Sequence, residues 1–420
     1  MGGTLKRLIT ISIVLLLIGT PGLLAGGFQL NEHGAKPMGL GGAFTALAND
    51  ASAVYWNAAG MSYLNGTNFI LGSTLIAPAS SFRGVYPSVQ TNYLKNDVFF
   101  PSHFFVTHSF TDGLAAGIGF TTPYGLGTEW DADWVGRYLA IKTQLTTYWV
   151  PITVSYKIVD ELSVSAGFIY SFADVLITRK NSQTPFEGDA FVKLDGNDNT
   201  AFGYCFGLMF KPIDILSVGA TFRSEVSYEF EGTATTTGAQ QLLDEKQLPN
   251  GDVTAKLKTP LNIVGGVAIK VIPELTISAD FQWIGWSSYD SLKVDFTDPD
   301  YSDLASPRDY KDTYIIRLGG EYSISDAVSL LGGIYFDKIP VDPERVNPSL
   351  PDSDRLGLSI GVNAKLTEKF GISGSYLFIR ASQLTVSDSK EIYTSGNSPF
   401  NGTYNSSANL LALSLTYSIN

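Results

Sequence analysis

Alternation at period two is the feature that most limits how this chain can fold. In RLGLSIGVNAKL, one set of alternate positions is Leu356, Leu358, Ile360, Val362, Ala364 and Leu366. The other set is Arg355, Gly357, Ser359, Gly361, Asn363 and Lys365. Leu411, Leu413, Leu415, Tyr417 and Ile419 repeat the pattern near the end of the chain. Successive side chains of a strand point to opposite faces, so each segment makes a ribbon with one apolar and one polar face. About ten such residues cross a bilayer as a tilted strand. Alternation alone leaves open whether the apolar face looks out to lipid or in to the core of a secreted sandwich.

The connections narrow the choice. Six are tight: Phe110–Leu114, Ile158–Leu162, Pro212–Leu216, Val271–Leu275, Ser323–Val328 and Leu366–Phe370. Between them run long polar segments near Phe82–Asp97, Thr122–Lys142, Lys180–Asn199, Glu231–Asp252, Thr297–Lys311, Lys338–Ser353 and Ser387–Ser406. Short and long alternate strictly. Six short and seven long connections imply fourteen strands, with both ends of the sheet on the side of the short turns. Short turns on one side and long loops on the other mark a bacterial outer-membrane barrel. Aromatic pairs near strand ends, such as Tyr148–Trp149, Tyr228–Phe230 and Tyr335–Phe336, are expected to form interfacial girdles.

Composition excludes several classes. Charged residues are 16% of the 420, and no stretch after the N-terminus is long and apolar enough for a spanning helix. The net charge of −12 gives no electrostatic footprint for nucleic acid. Cys205 is the single cysteine, so no intrachain disulfide forms. His103 and His108 are five apart and fall on opposite faces of a strand, which argues against a shared metal. No nucleophile–base order stands out, so no enzyme, cofactor or metal is expected. The GLGGAF run, Gly39–Phe44, lacks the strand and third glycine of a dinucleotide loop.

The N-terminus carries Lys6 and Arg7, then the apolar run Leu8–Gly19, then Thr20, Pro21 and Gly22. This reads as a secretory signal peptide over residues 1–25. Residues 26–66 are then a compact, small-residue segment ahead of a barrel over 67–420. Within it, NDASAVYWNAAG, Asn49–Gly60, suits a plug, because a barrel this wide is not filled by wall side chains alone.

Several stretches resemble the FadL family of long-chain fatty-acid and hydrocarbon transporters. They are GGFQLNEHGAKPMGLGGAFTALANDASAVYWNAAG near the start, TPYGLGTEWDADWVGRY at Thr122–Tyr138, DTYIIRLGGEYSISD at Asp312–Asp326, and PSLPDSDRLGLSIG at Pro348–Gly361. The resemblance runs in order along nearly the whole chain. It implies an all-β, 14-stranded antiparallel transmembrane barrel with an N-terminal hatch in the lumen, a monomer in the outer membrane of a Gram-negative bacterium. It implies passive transport of a hydrophobic small molecule, most simply a long-chain fatty acid, with lateral exit through a kinked third strand into membrane lipid. Aromatic or aliphatic hydrocarbon is the near alternative, and a general polar porin the distant one.

On that resemblance, Arg179 and Lys293 stand where the family carries basic residues and are expected to hold a carboxylate. Phe28, Leu30, Leu40, Phe44, Val54, Tyr55 and Trp56, with Leu242, Leu243 and Leu248 of a short amphipathic helix, are the candidate apolar lining. For the lateral opening, Gly117, Gly119 and Pro123 weaken the third strand, since glycine loosens a strand interior and proline cannot donate to the ladder. Gly117 and Gly119 equally suit a second role as small lumen-facing residues that make room for the hatch. Asn57, Ala58 and Gly60 are the hatch side of that gate, with Asn57 expected to satisfy wall groups freed at the kink. The family's Asn-Pro-Ala-Gly is Asn57-Ala58-Ala59-Gly60 here, which restores an N–H at position 58.

Overall fold

A computed structural model describes residues 26–182, 188–238, 248–392 and 398–419. The expected signal peptide, together with Leu242 and Leu243, lies outside them. Each strand that the alternation implied is present, and every neighbour is antiparallel. The first strand of the barrel is β1 (Thr67–Gly84). The second is β2 (Thr91–Tyr93) with β3 (Ser102–Ser109), and the third β4 (Leu114–Phe120) with β5 (Gly125–Glu129). The next three are β6 (Lys142–Val159), β7 (Leu162–Ser182) and β8 (Asp189–Ile213). Then come β9 (Leu216–Arg223) with β10 (Val226–Thr237), β11 (Gly251–Thr259) with β12 (Asn262–Ile272), and β13 (Leu275–Ile284) with β14 (Ser291–Phe296). The last five are β15 (Leu304–Pro307) with β16 (Thr313–Ser325), β17 (Val328–Asp337), β18 (Arg355–Lys365), β19 (Phe370–Ala381) with β20 (Leu384–Val386), and β21 (Gly402–Ile419). β1 pairs β21 from Thr67–Ile419 to Gly84–Gly402 and closes the barrel.

The outward face is now fixed. Leu356, Leu358, Ile360 and Val362 are exposed while Arg355, Gly357 and Ser359 are buried. The apolar side therefore meets lipid, as in a membrane barrel. All six tight connections join the strands as expected. The aromatic girdle is sparser than the sequence suggested. Trp149, Tyr228, Phe230, Trp286 and Tyr335 are buried instead of facing lipid, and all five belong to one interior apolar cluster with Phe28 and Tyr124. His103 is buried and His108 exposed, as their spacing required.

Residues 26–66 fill the interior. They contain short helices at Ala35–Gly39 and Ala53–Trp56 and a 3-10 turn at Ala58–Tyr63. So little regular structure leaves many backbone groups without partners, and a buried one is costly. Wall hydroxyls supply them. Ser155 and Ser163 donate to Ala59 O, Ser278 to Ala43 O, Ser359 to Gly39 O and Ser375 to Ala35 O. Ala35 N donates to Ser414 Oγ, and the Asp280 carboxylate accepts from Phe44 N and Thr45 N. The GLGGAF run has a packing reason. Gly41 and Gly42 turn at φ of +64° and +79°, where only glycine is unstrained, and Gly41 lies against Gly333 of β17 with no room for a Cβ on either.

Candidate functional site

Two cavities lie above the hatch. The first, of about 390 Å³, is walled by β7, β8, β10, β11, β14 and β15 and the loops above them. Its lining is mostly apolar and includes Val175, Ile177, Phe230, Val253, Leu257 and Leu292. Its cations are Arg179, Arg308 and Arg345, and its acids Asp195 and Glu391. Arg345 pairs with Asp309 at 2.8 Å, and Asp195 with Lys193 at 2.5 Å. Glu391 accepts from Asn347 Nδ2 at 2.6 Å. Among the described residues Arg179 has no acidic partner, and Arg308 Nε has no hydrogen bond. A guanidinium in an apolar cavity favours an anion that arrives with further hydrogen-bond capacity, such as a carboxylate.

The second cavity, of about 470 Å³, shares Phe28, Leu126, Leu145 and Leu350 with the first. It is lined by Leu30, Ile76, Phe99, Pro101, Thr122, Tyr124 and Gly127, and also by Gln144, Thr146 and Tyr148. The last three alternate with the buried Thr143, Leu145, Thr147 and Trp149, so they stand on the lipid face of β6. The cavity thus reaches both sides of the wall.

It does so because the wall is open there. β3 and β4 pair up to Phe104–Phe120. The next backbone link between the second and third strands is Lys95 N to Glu129 O at 2.7 Å. Between these ends, among the described residues, no backbone hydrogen bond joins the two edges. The third strand breaks at Thr121–Tyr124, around Pro123, between β4 and β5. Its freed groups turn inward to the hatch: Leu30 N donates to Pro123 O at 2.8 Å and Gly125 N to Phe28 O at 2.9 Å. His33 fixes the same corner. Burial pushes its pKa down to about 3, so the ring is neutral. Its Nε2–H donates to Leu30 O, which leaves Nδ1 to accept from Thr121 Oγ1 at 2.6 Å.

Phe28 stands between the cavities in an aromatic cage. Its ring meets Trp286 at 4.8 Å, Tyr289 at 5.6 Å and Tyr124 at 6.0 Å, all edge-on. The residue is anchored by its neighbour, because Gly26 N and Gly27 N both donate to the Asp352 carboxylate at 2.9 Å.

The expected site residues divide. Arg179, Phe28 and Leu30 line the cavities. Lys293 does not: it is exposed, while its neighbours Leu292 and Val294 point into the first cavity. Arg308, from the loop after β15, takes the place expected of Lys293. Trp56 is buried in the hatch against Phe44 and Tyr55, with Nε1 bonded to His33 O, and lines neither cavity. Leu40, Phe44, Val54 and Tyr55 pack with it, and Leu248 is buried outside the lining. Pro123 is at the break. Gly117 and Gly119 lie below it in the paired β4. A Cβ on Gly117 would come within 2.5 Å of Val54 and 2.7 Å of Met61, so this glycine admits the hatch. A Cβ on Gly119 would strike Phe105.

Asn57 reaches the wall, though at β8 and away from the break. Its Nδ2 donates to Leu208 O and Thr45 O, and its Oδ1 caps the 3-10 turn through Ala59 N. Ala58 is the first residue of that turn, and Gly60 lies where a Cβ would meet Ala48 O at 2.3 Å.

Known proteins share this architecture. The structure of a FadL homologue from Pseudomonas aeruginosa superposes with a TM-score of 0.86, at 19% identity, over 94% of this chain and 100% of that one. The toluene transporter TodX of Pseudomonas putida gives 0.76 at 15% identity over 93% and 99%. In sequence, outer membrane protein P1 of Haemophilus influenzae is 24% identical over 96% of this chain and 97% of its own. The long-chain fatty acid transport protein of Escherichia coli K12 is 27% identical over 84% and 86%. The family described as outer membrane protein transport protein (OMPP1/FadL/TodX) matches residues 16–419, and the chain belongs to that family of outer-membrane β-barrels.

Proposed function

We propose that the protein carries long-chain fatty acids passively across the outer membrane, into the first cavity, past Phe28 into the second, and sideways through the wall gap into lipid. The observation that carries this reading is the second cavity, which is apolar, shares Phe28, Leu126, Leu145 and Leu350 with the first and is lined by residues of both wall faces. An apolar ligand leaving that way avoids the polar, hatch-filled lumen below. The unpaired Arg179 favours an acid over a neutral hydrocarbon. The relatives named long-chain fatty acid transport protein agree with it.

The test is two-part. Ligand extracted from protein purified out of the outer membrane is identified by mass spectrometry, and labelled fatty acid uptake is measured in cells that depend on this chain. Recovery of fatty acid and saturable uptake are the expected results. A large steady conductance in a planar bilayer would show a polar porin instead. Hydrocarbon uptake is a second reading, favoured by the toluene transporters among the structural neighbours. We take the working unit to be a monomer, since one chain closes its own barrel and holds both cavities.

A further inference from the structure

The wall gap is framed at both ends and crossed in the middle by one ring. At its outer end Lys95 Nζ meets Glu129 Oε1 at 2.5 Å, and Lys142 Nζ meets Glu129 Oε2 at 2.7 Å, beside the Lys95–Glu129 backbone bond. At its inner end the ladder resumes at Phe104–Phe120. Between them Phe99 projects from the second strand. Its backbone is pinned to β1 in both directions: Phe99 N donates to Ile76 O at 2.9 Å and Ile76 N to Phe99 O at 2.8 Å. Its half-buried ring lines the second cavity and reaches the opposite edge of the gap. A Cβ on Gly127 would come within 2.1 Å of the ring tip, Cζ, and 2.4 Å of Cε1. The ring therefore rests on a bare Cα that no other residue type would provide. Phe100, next in the chain, is 63% exposed on the lipid side.

We propose that Phe99 is the movable leaf of the gap, that Gly127 is its seat, and that together they set the girth of the ligand that leaves. The inference rests on the lateral route proposed above. The ring carries no hydrogen bond, and a side-chain rotation swings it without breaking either bond to Ile76. Opening thus leaves the barrel ladder intact, and only the apolar packing of one ring, on Gly127 and against the interior cluster, opposes it. The clasp at Glu129 and the ladder at Phe104 stay fixed, so the width available is set by where the ring moves. A thin acyl chain needs a small swing. A ring-bearing or branched ligand needs the leaf fully displaced.

The experiment uses the full chain reconstituted in lipid vesicles and follows transfer of a linear long-chain fatty acid and of a carboxylic acid bearing a bulky polycyclic group. Phe99→Ala is expected to raise the rate for the bulky acid about tenfold relative to the linear one, as for a barrier lowered by the packing of one ring. Gly127→Ala, which wedges the ring off its seat, shifts the ratio the same way by less. An unchanged ratio in both variants would overturn the proposal. A third protein separates its failure from that of the lateral route. In a Cys205→Ser background, Ser102→Cys at the inner end of the gap is labelled with a bulky maleimide. If the label stops transfer while the Phe99 and Gly127 variants keep the wild-type ratio, the route stands and the leaf does not. If labelled protein still transfers fatty acid, the route itself is wrong and the leaf with it.

Discussion

Replacing Arg179 with alanine is the sharpest test of ligand class. Arg179 lines the first cavity among Val175, Ile177, Leu292 and Val294 and has no acidic partner among the described residues. Its removal breaks no ion pair, and it removes a like charge from the neighbourhood of Arg308. Barrel stability should therefore be unchanged. Binding should not. A charge-assisted hydrogen bond contributes about 1.5–3 kcal/mol. Arg308 remains in the cavity, and Arg345 is already taken by Asp309, so a loss of about 2 kcal/mol is expected. That corresponds to roughly thirtyfold weaker binding of a fatty acid. The methyl ester of the same acid has no charge to lose and should bind Arg179→Ala and wild type alike. Isothermal titration on detergent-solubilised protein measures both. Equal weakening of acid and ester, or none for either, would refute the assignment. Lys293→Ala supplies the internal control: its side chain points away from the cavity, and neither ligand should notice it.

Three other expectations follow from the hatch. Ala58 begins the 3-10 turn, a position that tolerates proline, so Ala58→Pro should stabilise the segment by about 0.4–1 kcal/mol. Slower amide exchange at Ala59–Tyr63 is the check, and faster exchange would count against it. Gly117→Leu would drive a side chain into Val54 and Met61, so the hatch should lift and a steady ion current appear in a planar bilayer while heat-modifiability of the barrel persists; a silent bilayer would show that the hatch repacks. Burial pushes the Asp352 carboxyl up to about 7, against the opposing pull of Arg355 and the N–H groups of Gly26 and Gly27. A raised folded-state pKa stabilises fully below the ordinary carboxylate range and is lost as pH rises through the raised value. Exchange at residues 26–30, corrected for its intrinsic pH dependence, should therefore quicken from pH 5 to pH 8. Asp352→Asn should flatten that slope, and slower exchange at pH 8 in wild type would contradict the linkage.

How much of this the sequence disclosed follows from what side-chain alternation means at different heights of the wall. Through the membrane, Leu356, Leu358 and Ile360 alternate with Arg355, Gly357 and Ser359, and the outward face is the apolar one. Strand number and turn side follow from that. Above the membrane the rule inverts. In β14 the apolar Leu292 and Val294 line a cavity, and the charged Lys293 points out. A basic residue matched by resemblance alone was therefore placed on the wrong face, although the parity of its own neighbours carried the information. Arg308 had no such signal, since it sits in a loop whose residues keep no fixed parity. The break near Pro123 was visible because proline cannot join a ladder. That its freed backbone turns to Phe28 and Leu30 was not, because those partners are remote in sequence and meet only when the hatch is inside. Gly117 fits both of its possible roles by residue type alone, and only the packing of Val54 and Met61 against it separates them.

The hydroxyls that hold the hatch come from β6, β7, β13, β18 and β19, with Ser414 of β21 on the final strand. They surround residues 35–59 on nearly every side. A segment tied in this way is expected to dock before the cylinder closes. It would then lie within the curling sheet when β1 meets β21 along the seam from Thr67–Ile419 to Gly84–Gly402. The N-terminal segment is thus a mandrel for the barrel as well as its stopper. A substitution that loosens it should appear first as slow or failed assembly, before any ligand is offered.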